Sequence, residues 1–448
     1  MTSQTVEALE IAIIGGGLCG LALAIALRKR SVPFKIYEGR SSFTELGAGI
    51  NVGPNSSTAL RLIDEDLATA FFAIANRNPP PKEDVYLDIR LGAPSGEFRD
   101  GEVIETLLAP PTGNTTIGRN ALLQMLAEHA GLTSGSGQKD AIFNKKLSKF
   151  SKTSFGVTLT FEDGTTAIAS AVIACDGIHS TVRRLLLGAD SLVARPQYSE
   201  SGAYRAILPF KELEAILGPE RARSSQAIVG PGGYIIYYPT TATTMNVGFW
   251  KWRKGVWPKP EGWLLDKQGQ RMQQDFAGWG GVAKQMVGMA LEKGGGDEIQ
   301  FWGTFYHAVQ PEKCWEGRVC LLGDASHAMP PHAGAGAGQA MEDAYVLSEV
   351  LSVVNARKLH VSLQDQLAKA FDSYECVRRP RYQAVLEQSQ ASMHLWANLY
   401  DEPLTKEKVQ IWRDQVRESF ENIWHHHLEA DAIKARKALE AMLESESI

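Results

Sequence analysis

The hydrophobic and polar positions at the start of the chain predict a strand, a helix and a second strand. The apolar run IAIIGG at 11–16 has the length of a buried strand, and LALAIALRKR at 21–30 shows helical periodicity with a basic last turn. The segment FKIYE at 34–38 follows as the second strand. Because this order is that of a parallel βαβ unit, the chain is predicted to begin with an α/β domain.

The middle of the chain has a different pattern, in which apolar and polar residues alternate and aromatic residues are frequent. The segments SGAYRAILPF at 201–210, SQAIVGPGGYIIYYPT at 225–240 and TMNVGFWKW at 244–252 show this alternation. They predict a mostly antiparallel sheet. The segment NRNPPPKED at 76–84 is predicted to be a loop that crosses between domains.

The last part of the chain, after about residue 371, is helical and charged in pattern. The segment RRPR at 378–381 is predicted to mark a break in this pattern. An amphipathic tail is predicted from about residue 404 to the end.

Composition narrows the classes of function. Of the 448 residues, 44% are hydrophobic and 22% are charged, which suits a large core in two or three interlocked domains. The formal net charge is −5 and no long run of Lys or Arg occurs, so no nucleic-acid partner is expected. No apolar segment reaches about 18 residues, so no transmembrane helix is expected. The five cysteines lack CxxC spacing, which favours reduced thiols and a cytoplasmic location.

A glycine motif, Gly15-x-Gly17-x-x-Gly20, lies between the first predicted strand and helix. The first glycine permits a tight turn, the second lets the backbone approach a pyrophosphate, and the third allows the helix to pack closely on the strand. Amide groups of the helix then receive the phosphates. Glu38 ends the second strand, where a carboxylate can bind the hydroxyls of an adenosine ribose. The motif and its context predict a dinucleotide site.

Two further segments each place an aspartate at the end of a predicted strand, AVIACDGIHSTVRRLL at 171–186 and GRVCLLGDASHAMPPHAGAGAGQAMEDAY at 317–345. Together with the glycine motif and GRNALL at 118–123, they resemble in order and spacing the four signatures of group A flavoprotein monooxygenases. This is the family of para-hydroxybenzoate and salicylate hydroxylases. Within it, the chain is most similar to fungal salicylate-hydroxylase-like enzymes, including those that hydroxylate polyketide phenols and remove their aromaticity.

The resemblance implies an α/β fold like that of para-hydroxybenzoate hydroxylase. A Rossmann-type FAD-binding domain is expected to be interleaved with an antiparallel-sheet substrate domain, followed by C-terminal helices. The expected division is 1–75, 112–190 and 299–370 for the FAD-binding domain, 76–111 and 191–298 for the substrate domain, and 371–448 for the helical region.

The resemblance also implies which residues hold FAD. The residues expected to bind the ADP half are Gly15, Gly17, Gly20 and Glu38, with Arg40 as helper. The residues expected to contact the ribityl chain, the flavin or the nicotinamide cosubstrate are Arg119, Asp176, Gly177, Asp324, Gly334, Gly336 and Ala337. Two positions depart from the family pattern, because Ala335 and Gly338 stand where Gln and Asn are commoner.

The implied reaction begins with reduction of FAD by NADPH or NADH. O2 then gives a flavin C4a-hydroperoxide, which hydroxylates an electron-rich carbon of a phenolic substrate. Arg205 and Tyr238 match positions that contact substrate in enzymes acting on polyketide phenols, and they are the expected catalytic residues. A charge within an apolar strand also needs a partner or a ligand, which favours Arg205. Tyr204, Tyr237 and Trp250 are weaker candidates, since strand alternation puts Tyr237 and Tyr238 on opposite faces.

Several alternatives remain open at this stage. The substrate is expected to be a polyketide phenol, and a salicylate-type acid that loses carbon dioxide is the alternative. A flavin halogenase or oxidase, or a non-catalytic FAD-binding protein, lies outside the class. No metal site is expected, because consecutive helical positions in the run 425–427 point apart. His327 and His332 are assigned to packing beside the cofactor or to a hydrogen bond with the phenol, and the chain is expected to be a monomer or a homodimer.

Overall fold

The computed structural model describes residues 9–44, 49–133, 135–153, 155–259, 262–356 and 361–445. In these residues the strands are β1 (Ile11–Ile14), β2 (Phe34–Tyr37), β3 (Gly49–Val52), β4 (Asn76–Arg77), β5 (Val85–Leu91), β6 (Val103–Leu108), β7 (Thr115–Gly118), β8 (Ala141–Ile142), β9 (Leu147–Thr153), β10 (Gly156–Phe161), β11 (Thr166–Ala169), β12 (Ala171–Ala174), β13 (Gln197–Pro209), β14 (Gln226–Gly230), β15 (Gly233–Pro239), β16 (Thr244–Trp252), β17 (Leu264–Leu265), β18 (Phe301–Tyr306), β19 (Trp315–Glu316) and β20 (Val319–Leu321).

The helices of the same residues are α1 (Leu18–Lys29), α2 (Pro54–Ile63), α3 (Glu65–Ile74), α4 (Arg119–His129), α5 (Thr181–Leu187), α6 (Phe210–Leu217), α7 (Pro219–Ala222), α8 (Gly269–Asp275), α9 (Gly281–Lys293), α10 (Asp324–His327), α11 (Gly336–Ala356), α12 (Leu363–Asn398), α13 (Lys406–Trp424) and α14 (Leu428–Glu444). The βαβ unit predicted near the start of the chain is confirmed as β1, α1 and β2.

A six-stranded sheet forms the centre of the α/β part, with strand order β19-β20-β12-β1-β2-β8. All neighbouring strands are parallel except β19, which runs antiparallel to β20. Strand β1 is buried along its whole length, because one of its faces packs against helices α1 and α11 and the other against strands β9, β10 and β11. Strands β1, β12 and β20 are neighbours and all parallel, so the loops after them meet at one edge of the sheet.

An eight-stranded sheet forms the second part, in the order β17-β18-β13-β16-β15-β14-β5-β6. Its pairs are antiparallel apart from β14 with β5, so the predicted mostly antiparallel sheet is confirmed. Two three-stranded sheets, β11-β10-β9 and β3-β7-β4, complete the strand pairing of the described residues. Strand β18 lies in the eight-stranded sheet, although its residues follow the predicted domain boundary at 298.

The predicted break at RRPR is wrong. Helix α12 continues through this segment from Leu363 to Asn398, with Pro380 inside it. A proline within a helix costs about 3 kcal/mol or more, because it removes a backbone hydrogen bond and clashes with the preceding turn. Here Arg378 and Arg381 on either side of the proline are buried and form ion pairs with α11. Tertiary contacts therefore hold a helix that local sequence rules would interrupt.

The two last helices confirm the predicted amphipathic tail, and each completes a different core. Buried residues of α14, from Leu428 to Leu443, join the core around β1 and α1. Buried residues of α13, from Val409 to Trp424, join the core on one face of the eight-stranded sheet. The C-terminal helices therefore bind both parts of the molecule together.

Candidate active site

Each of the three positions of the glycine motif after β1 lacks a side chain for a different steric reason. Gly15 has φ +100°, and a Cβ added there would lie 2.5 Å from the carbonyl oxygen of Cys175. A Cβ at Gly20 would overlap the carbonyl oxygen of Gly15. At Gly17, by contrast, no protein atom among the described residues lies within 4 Å of the Cβ position. Two glycines thus serve the packing of the chain, and the middle one leaves open space beside the start of α1.

Glu38 lies at the end of β2 and faces this loop. Its carboxylate accepts hydrogen bonds from the backbone N–H of Gly16 at 2.6 Å and of Arg40 at 2.8 Å. The Arg40 side chain is exposed and donates to the backbone carbonyl of Thr44. This places Glu38 and Arg40 beside the open space at Gly17, where the sequence predicts the adenosine ribose and pyrophosphate of FAD.

Asp324 begins α10 directly after β20 and is exposed at the same edge of the sheet. One of its carboxylate oxygens lies 3.8 Å from the Cβ position of Gly336, at the start of the 21-residue helix α11. Gly334, just before that helix, is in the left-handed region with φ +62°. Backbone N–H groups at the start of α11, including that of Ala337, provide donors and the positive end of the helix dipole.

The departure from the family pattern at Gly338 has a steric explanation. A Cβ at this position would overlap the Ser56 hydroxyl and lie 2.7 Å from the side-chain nitrogen of Asn55. Helix α11 therefore packs against α2 more closely than a residue with a side chain would allow. Ala335, the other departure, is buried in the core on the face of the eight-stranded sheet.

Asp176 and Gly177 follow β12 and lie next to the glycine motif. The Asp176 carboxylate accepts hydrogen bonds from the Ser180 hydroxyl and from the N–H groups of Thr181 and Val182, which caps α5. Burial raises the pKa of this carboxyl group, and the hydrogen bonds oppose that shift. Gly177 has φ +73° with open space at its Cβ position. A role of the pair toward the cofactors remains a prediction.

The residues present fit an FAD molecule. Gly17, Glu38, Asp324 and the start of α11 come from separate segments and meet at the carboxyl ends of the parallel strands, where dinucleotides bind in this class of sheet. Arg119 begins α4 after β7, and its positive charge acts on Arg205 and Tyr238, so it lies near both of these side chains.

Arg205 and Tyr238 lie on one face of the eight-stranded sheet, which we call the inner face. The strand register pairs Tyr238 with Asn246 and pairs Arg205 with Gly248, so these side chains share a face. Ser201 and Tyr234 lie on it too, and their hydroxyls are within 3.1 Å and 3.0 Å of the ring nitrogens of His332. His332 belongs to the segment 328–338, before and at the start of α11, which we call the glycine-rich loop. The inner face therefore meets this loop.

The charges on the inner face suit a phenolic group. Arg205 is exposed to the cleft and stacks over Trp302 at 5.3 Å. Partial loss of hydration, and the positive charge of Arg119, lower the pKa of its guanidinium, which stays charged at neutral pH. Tyr238 is buried, and burial raises the pKa of its hydroxyl well above the usual value. Arg205 is therefore a cation and Tyr238 a neutral hydrogen-bond donor.

Two of the weaker candidates are excluded from this face. Tyr204 and Tyr237 lie on the opposite side of the sheet, in a separate core. Tyr204 donates to the Asp275 carboxylate at 2.8 Å there. Trp250 shares the inner face and stacks on Tyr234, with ring centroids 5.7 Å apart. The register thus decides which aromatic side chains can meet a substrate.

The histidines near the glycine-rich loop are structural. Both ring nitrogens of His332 have protein partners, so none is left for a phenol, and burial lowers its pKa to about 3. His327 is buried, and its Nε2 lies 2.6 Å from the carboxylate of Asp343. Of the two predicted roles of these histidines, packing beside the glycine-rich loop is the one that their burial and protein partners favour.

The run 425–427 does not form consecutive helical positions as predicted. His425 follows the last residue of α13, His427 precedes α14, and His426 lies 2.7 Å from the Asp431 carboxylate. Within the described ranges, no group of three or more His, Cys, Asp or Glu side chains is arranged to hold a metal ion. None of the described helices is long and apolar enough to cross a membrane.

The partners of two buried arginines in the site region gave no signal in the sequence. Arg378 is fully buried and donates to Asp343, Glu342 and Gln339, each at 2.8 Å, which fixes α11 behind the glycine-rich loop. Arg183 is also fully buried and donates to the carbonyls of Ala325 at 3.0 Å and Ser326 at 2.6 Å. The partners of each arginine lie far away along the chain, so no local pattern identifies them.

The fold and the convergence of glycines, acidic residues and a helix N-terminus define the class of protein as a flavoprotein of the Rossmann type. The chain matches the family model described as FAD binding domain over residues 8–191 and 290–389. This is more than half of the chain, and it includes the loops after β1, β12 and β20. The chain therefore belongs to this FAD-binding family, and it is an FAD-dependent aromatic monooxygenase.

Individual relatives agree with this assignment. The chain is 33% identical to a 6-methylsalicylate 1-monooxygenase of Aspergillus terreus, covering 94% of this chain and 90% of the relative. It is 30% identical to a salicylate hydroxylase of Pseudomonas putida, covering 96% of this chain and 95% of the relative. A solved salicylate hydroxylase in complex with its substrate superimposes with a TM-score of 0.78 at 27% identity. The match covers 96% of this chain and 98% of the solved chain. The resemblance, the fold class and FAD as cofactor, all predicted from the sequence, are thus confirmed.

Proposed function

We propose that this monooxygenase hydroxylates a phenolic ring of the polyketide type, with NAD(P)H as electron donor and O2 as oxygen source. The observation that carries the proposal is the arrangement of the inner face. Arg205, a cation exposed to the cleft, and Tyr238, a buried neutral donor, lie on this face where it meets the glycine-rich loop. For such a substrate, hydroxylation that leaves the product ring non-aromatic is a further expected outcome.

FAD, when bound, supplies the redox chemistry, accepting a hydride from NAD(P)H and transferring one oxygen atom of O2 to the substrate. Gly17, Glu38, Asp324 and the start of α11 are the groups that would hold it. The chain itself binds and orients the phenol. A cation beside the phenol oxygen lowers the phenol pKa, and the resulting phenolate is the better carbon nucleophile. Arg205 is the residue assigned to this role.

Tyr238 and the sheet around it position the substrate. Because the hydroxyl of Tyr238 stays protonated, it can donate a hydrogen bond to a substrate oxygen without adding charge. Trp250 and Ile236 also lie on the inner face, and apolar side chains of this kind keep water away from the reacting carbon. In this proposal the sheet orients the ring and shields one side of it from water.

A salicylate-type substrate is the second candidate. Arg119 lies close enough to Arg205 for its charge to lower the Arg205 pKa, so two cations face one region of the cleft. Two arginines suit a substrate carboxylate, and two relatives are named for salicylate substrates. Hydroxylation at the carbon that bears the carboxylate would then release carbon dioxide.

The decisive experiment measures NADH and NADPH oxidation by the purified holoenzyme with a panel of phenols, from salicylate to alkylated resorcinol aldehydes, and records product masses. A gain of one oxygen with no loss of carbon supports the polyketide-type substrate. Gain of oxygen with loss of carbon dioxide supports the salicylate type. Oxidation that no phenol stimulates would overturn the proposal and leave a halogenase, an oxidase or a non-catalytic FAD-binding protein to be tested.

A further inference from the structure

Tyr86 and Asn51 lie beside Tyr238, yet neither belongs to a sequence motif. The hydroxyl oxygen of Tyr86, on β5, lies 3.5 Å from the Cβ position of Gly334 in the glycine-rich loop. On β3, a Cβ at Gly49 would lie 2.7 Å from the ring of Tyr238. Asn51 is two residues further along β3 and faces the same side. Three elements thus bring Tyr86, Asn51 and Tyr238 together at the glycine-rich loop.

The Tyr86 ring is held in place by the C-terminal helix α13. Its centroid lies 4.6 Å from that of Trp424 and 5.5 Å from that of Phe420. The Trp424 indole nitrogen in turn lies 3.1 Å from the Cβ position of Gly53, just after β3. Because the ring is buried by these contacts, its hydroxyl is fixed in direction toward the loop. Helix α13 therefore positions a polar group of the cleft.

The polar atoms of this pair leave room for a ligand. Burial raises the pKa of Tyr86 to about 12, and the side chain of Asn51 lies near enough to the Tyr86 hydroxyl to oppose this shift in pKa. Tyr86 is therefore protonated at neutral pH, and its O–H remains available as a donor. The side-chain oxygen of Asn51 is buried and has no hydrogen-bond partner among the described residues. A buried acceptor without a partner destabilises the protein, and a ligand that donates a hydrogen bond to it would remove this cost.

A donor next to an acceptor is the complement of a hydroxyl group, which accepts one hydrogen bond and donates another. Neither a carboxylate nor an alkyl group would use both atoms. Arg205 and Tyr238 already serve the oxygen of the reacting phenol in the proposed function. We infer that the Tyr86–Asn51 pair binds a second hydroxyl group of the substrate, so the substrate is a dihydroxylated, resorcinol-type ring. This inference rests on the proposed function.

The test compares two probes that differ in one hydroxyl group, 2,4-dihydroxy-6-methylbenzaldehyde and 2-hydroxy-6-methylbenzaldehyde. Binding to the FAD-loaded enzyme is followed by the change in flavin absorbance, which requires no turnover. The wild-type enzyme is expected to bind the dihydroxy probe about tenfold more tightly, as one satisfied hydrogen-bond pair allows. Tyr86→Phe keeps the ring but removes the donor, so it should abolish most of this difference while leaving the affinity for the monohydroxy probe unchanged.

Two further variants complete the design. Asn51→Ala removes the acceptor and should reduce the same difference. Tyr237→Phe removes a buried hydroxyl from the opposite face of the sheet and should leave both affinities unchanged. Equal weakening of both probes by Tyr86→Phe, or a wild-type enzyme that does not discriminate between them, would overturn the inference. Failure of every phenol to stimulate NAD(P)H oxidation would overturn the proposed function instead, so the two failures are distinguishable.

Discussion

At the scale of single residues, the three glycines of the first loop need their small size for different reasons. Gly15 and Gly20 meet backbone atoms of the protein itself, whereas the space at Gly17 is open. Sequence spacing alone identified all three as one motif. The structure separates the glycines that the fold requires from the glycine whose space a cofactor would need.

We predict different consequences for two substitutions in this loop. Gly17→Ala should leave the stability of the FAD-free protein unchanged and weaken FAD binding, since the added methyl group meets no atom of the residues that the structure describes. Gly20→Ala should lower the melting temperature of the FAD-free protein, because its methyl group would overlap the Gly15 carbonyl. Thermal melts with and without FAD, together with flavin titration, measure both effects. Equal loss of stability in the two variants would contradict the assignment.

A second prediction concerns Arg205. Arg205→Ala should retain bound FAD and its yellow colour, because the side chain lies on the sheet and not in the loops after β1 or β20. Coupled hydroxylation should fall by about tenfold or more, since a charge-assisted contact is worth about 1.5–3 kcal/mol. Product formed per NAD(P)H oxidised is the measurement, and Arg205→Lys should restore part of it. Full turnover in Arg205→Ala would remove this residue from the site.

At the scale of elements, helix α12 shows how packing overrides local sequence. Arg378 lies between Asp343 and Glu342 of α11, and all three side chains are buried. The pKa of Asp343 is held far below its ordinary value by His327 and Arg378 against the opposing effect of burial. This cluster joins α12 to the helix that begins at the glycine-rich loop, so the long helix supports the cofactor side.

We predict that Arg378→Met lowers the free energy of unfolding by about 3–5 kcal/mol, because the buried carboxylates of Asp343 and Glu342 both lose the cation that they share. The sign of the pH dependence follows from the depressed pKa of Asp343. Its stabilisation is fully present above the ordinary carboxyl pKa of about 4 and is lost as pH falls further. Denaturant unfolding at neutral pH and below about pH 4 measures both, and Lys406→Met, which breaks an exposed ion pair with Glu97, is the matched control. A small change at neutral pH would contradict this account.

At the scale of the whole molecule, the C-terminal helices link the cofactor side to the substrate side. Helix α14 packs into the core around β1, and α13 packs on the inner face. Glu105 of β6 is almost fully buried, and it accepts from Arg413 at 3.0 Å and Arg417 at 2.9 Å of α13. These ion pairs fix the helix that holds Tyr86.

We predict that the double variant Arg413→Ala, Arg417→Ala destabilises the protein by about 1–3 kcal/mol, because it leaves the Glu105 carboxylate buried without a cation. Adding Glu105→Gln to this variant should restore most of the lost stability, since the buried charge is then absent. Chemical unfolding of the three proteins measures the recovery. If the triple variant were less stable than the double variant, the ion pairs would not be what fixes α13.

The sequence by itself determined the elements and motifs that depend on neighbouring residues. The βαβ unit, the glycine motif, Glu38, the alternating strands and the resemblance to flavoprotein monooxygenases all follow from spacing within short segments. The roles of Arg205, Tyr238 and the other predicted site residues remain predictions for the experiments above. Alternation along β15 also separated Tyr237 from Tyr238 before the structure showed which of them faces the cleft.

Only the tertiary structure decided which side chains meet across the cleft. The side chains of Tyr86 and Asn51 lie close to each other although they are on different sheets, and Trp424 contacts Tyr86 from the far end of the chain. The continuity of α12 through Pro380 depends likewise on carboxylates of α11. Strand order and helix packing set these contacts, and residues distant along the chain leave no periodic pattern that reveals them.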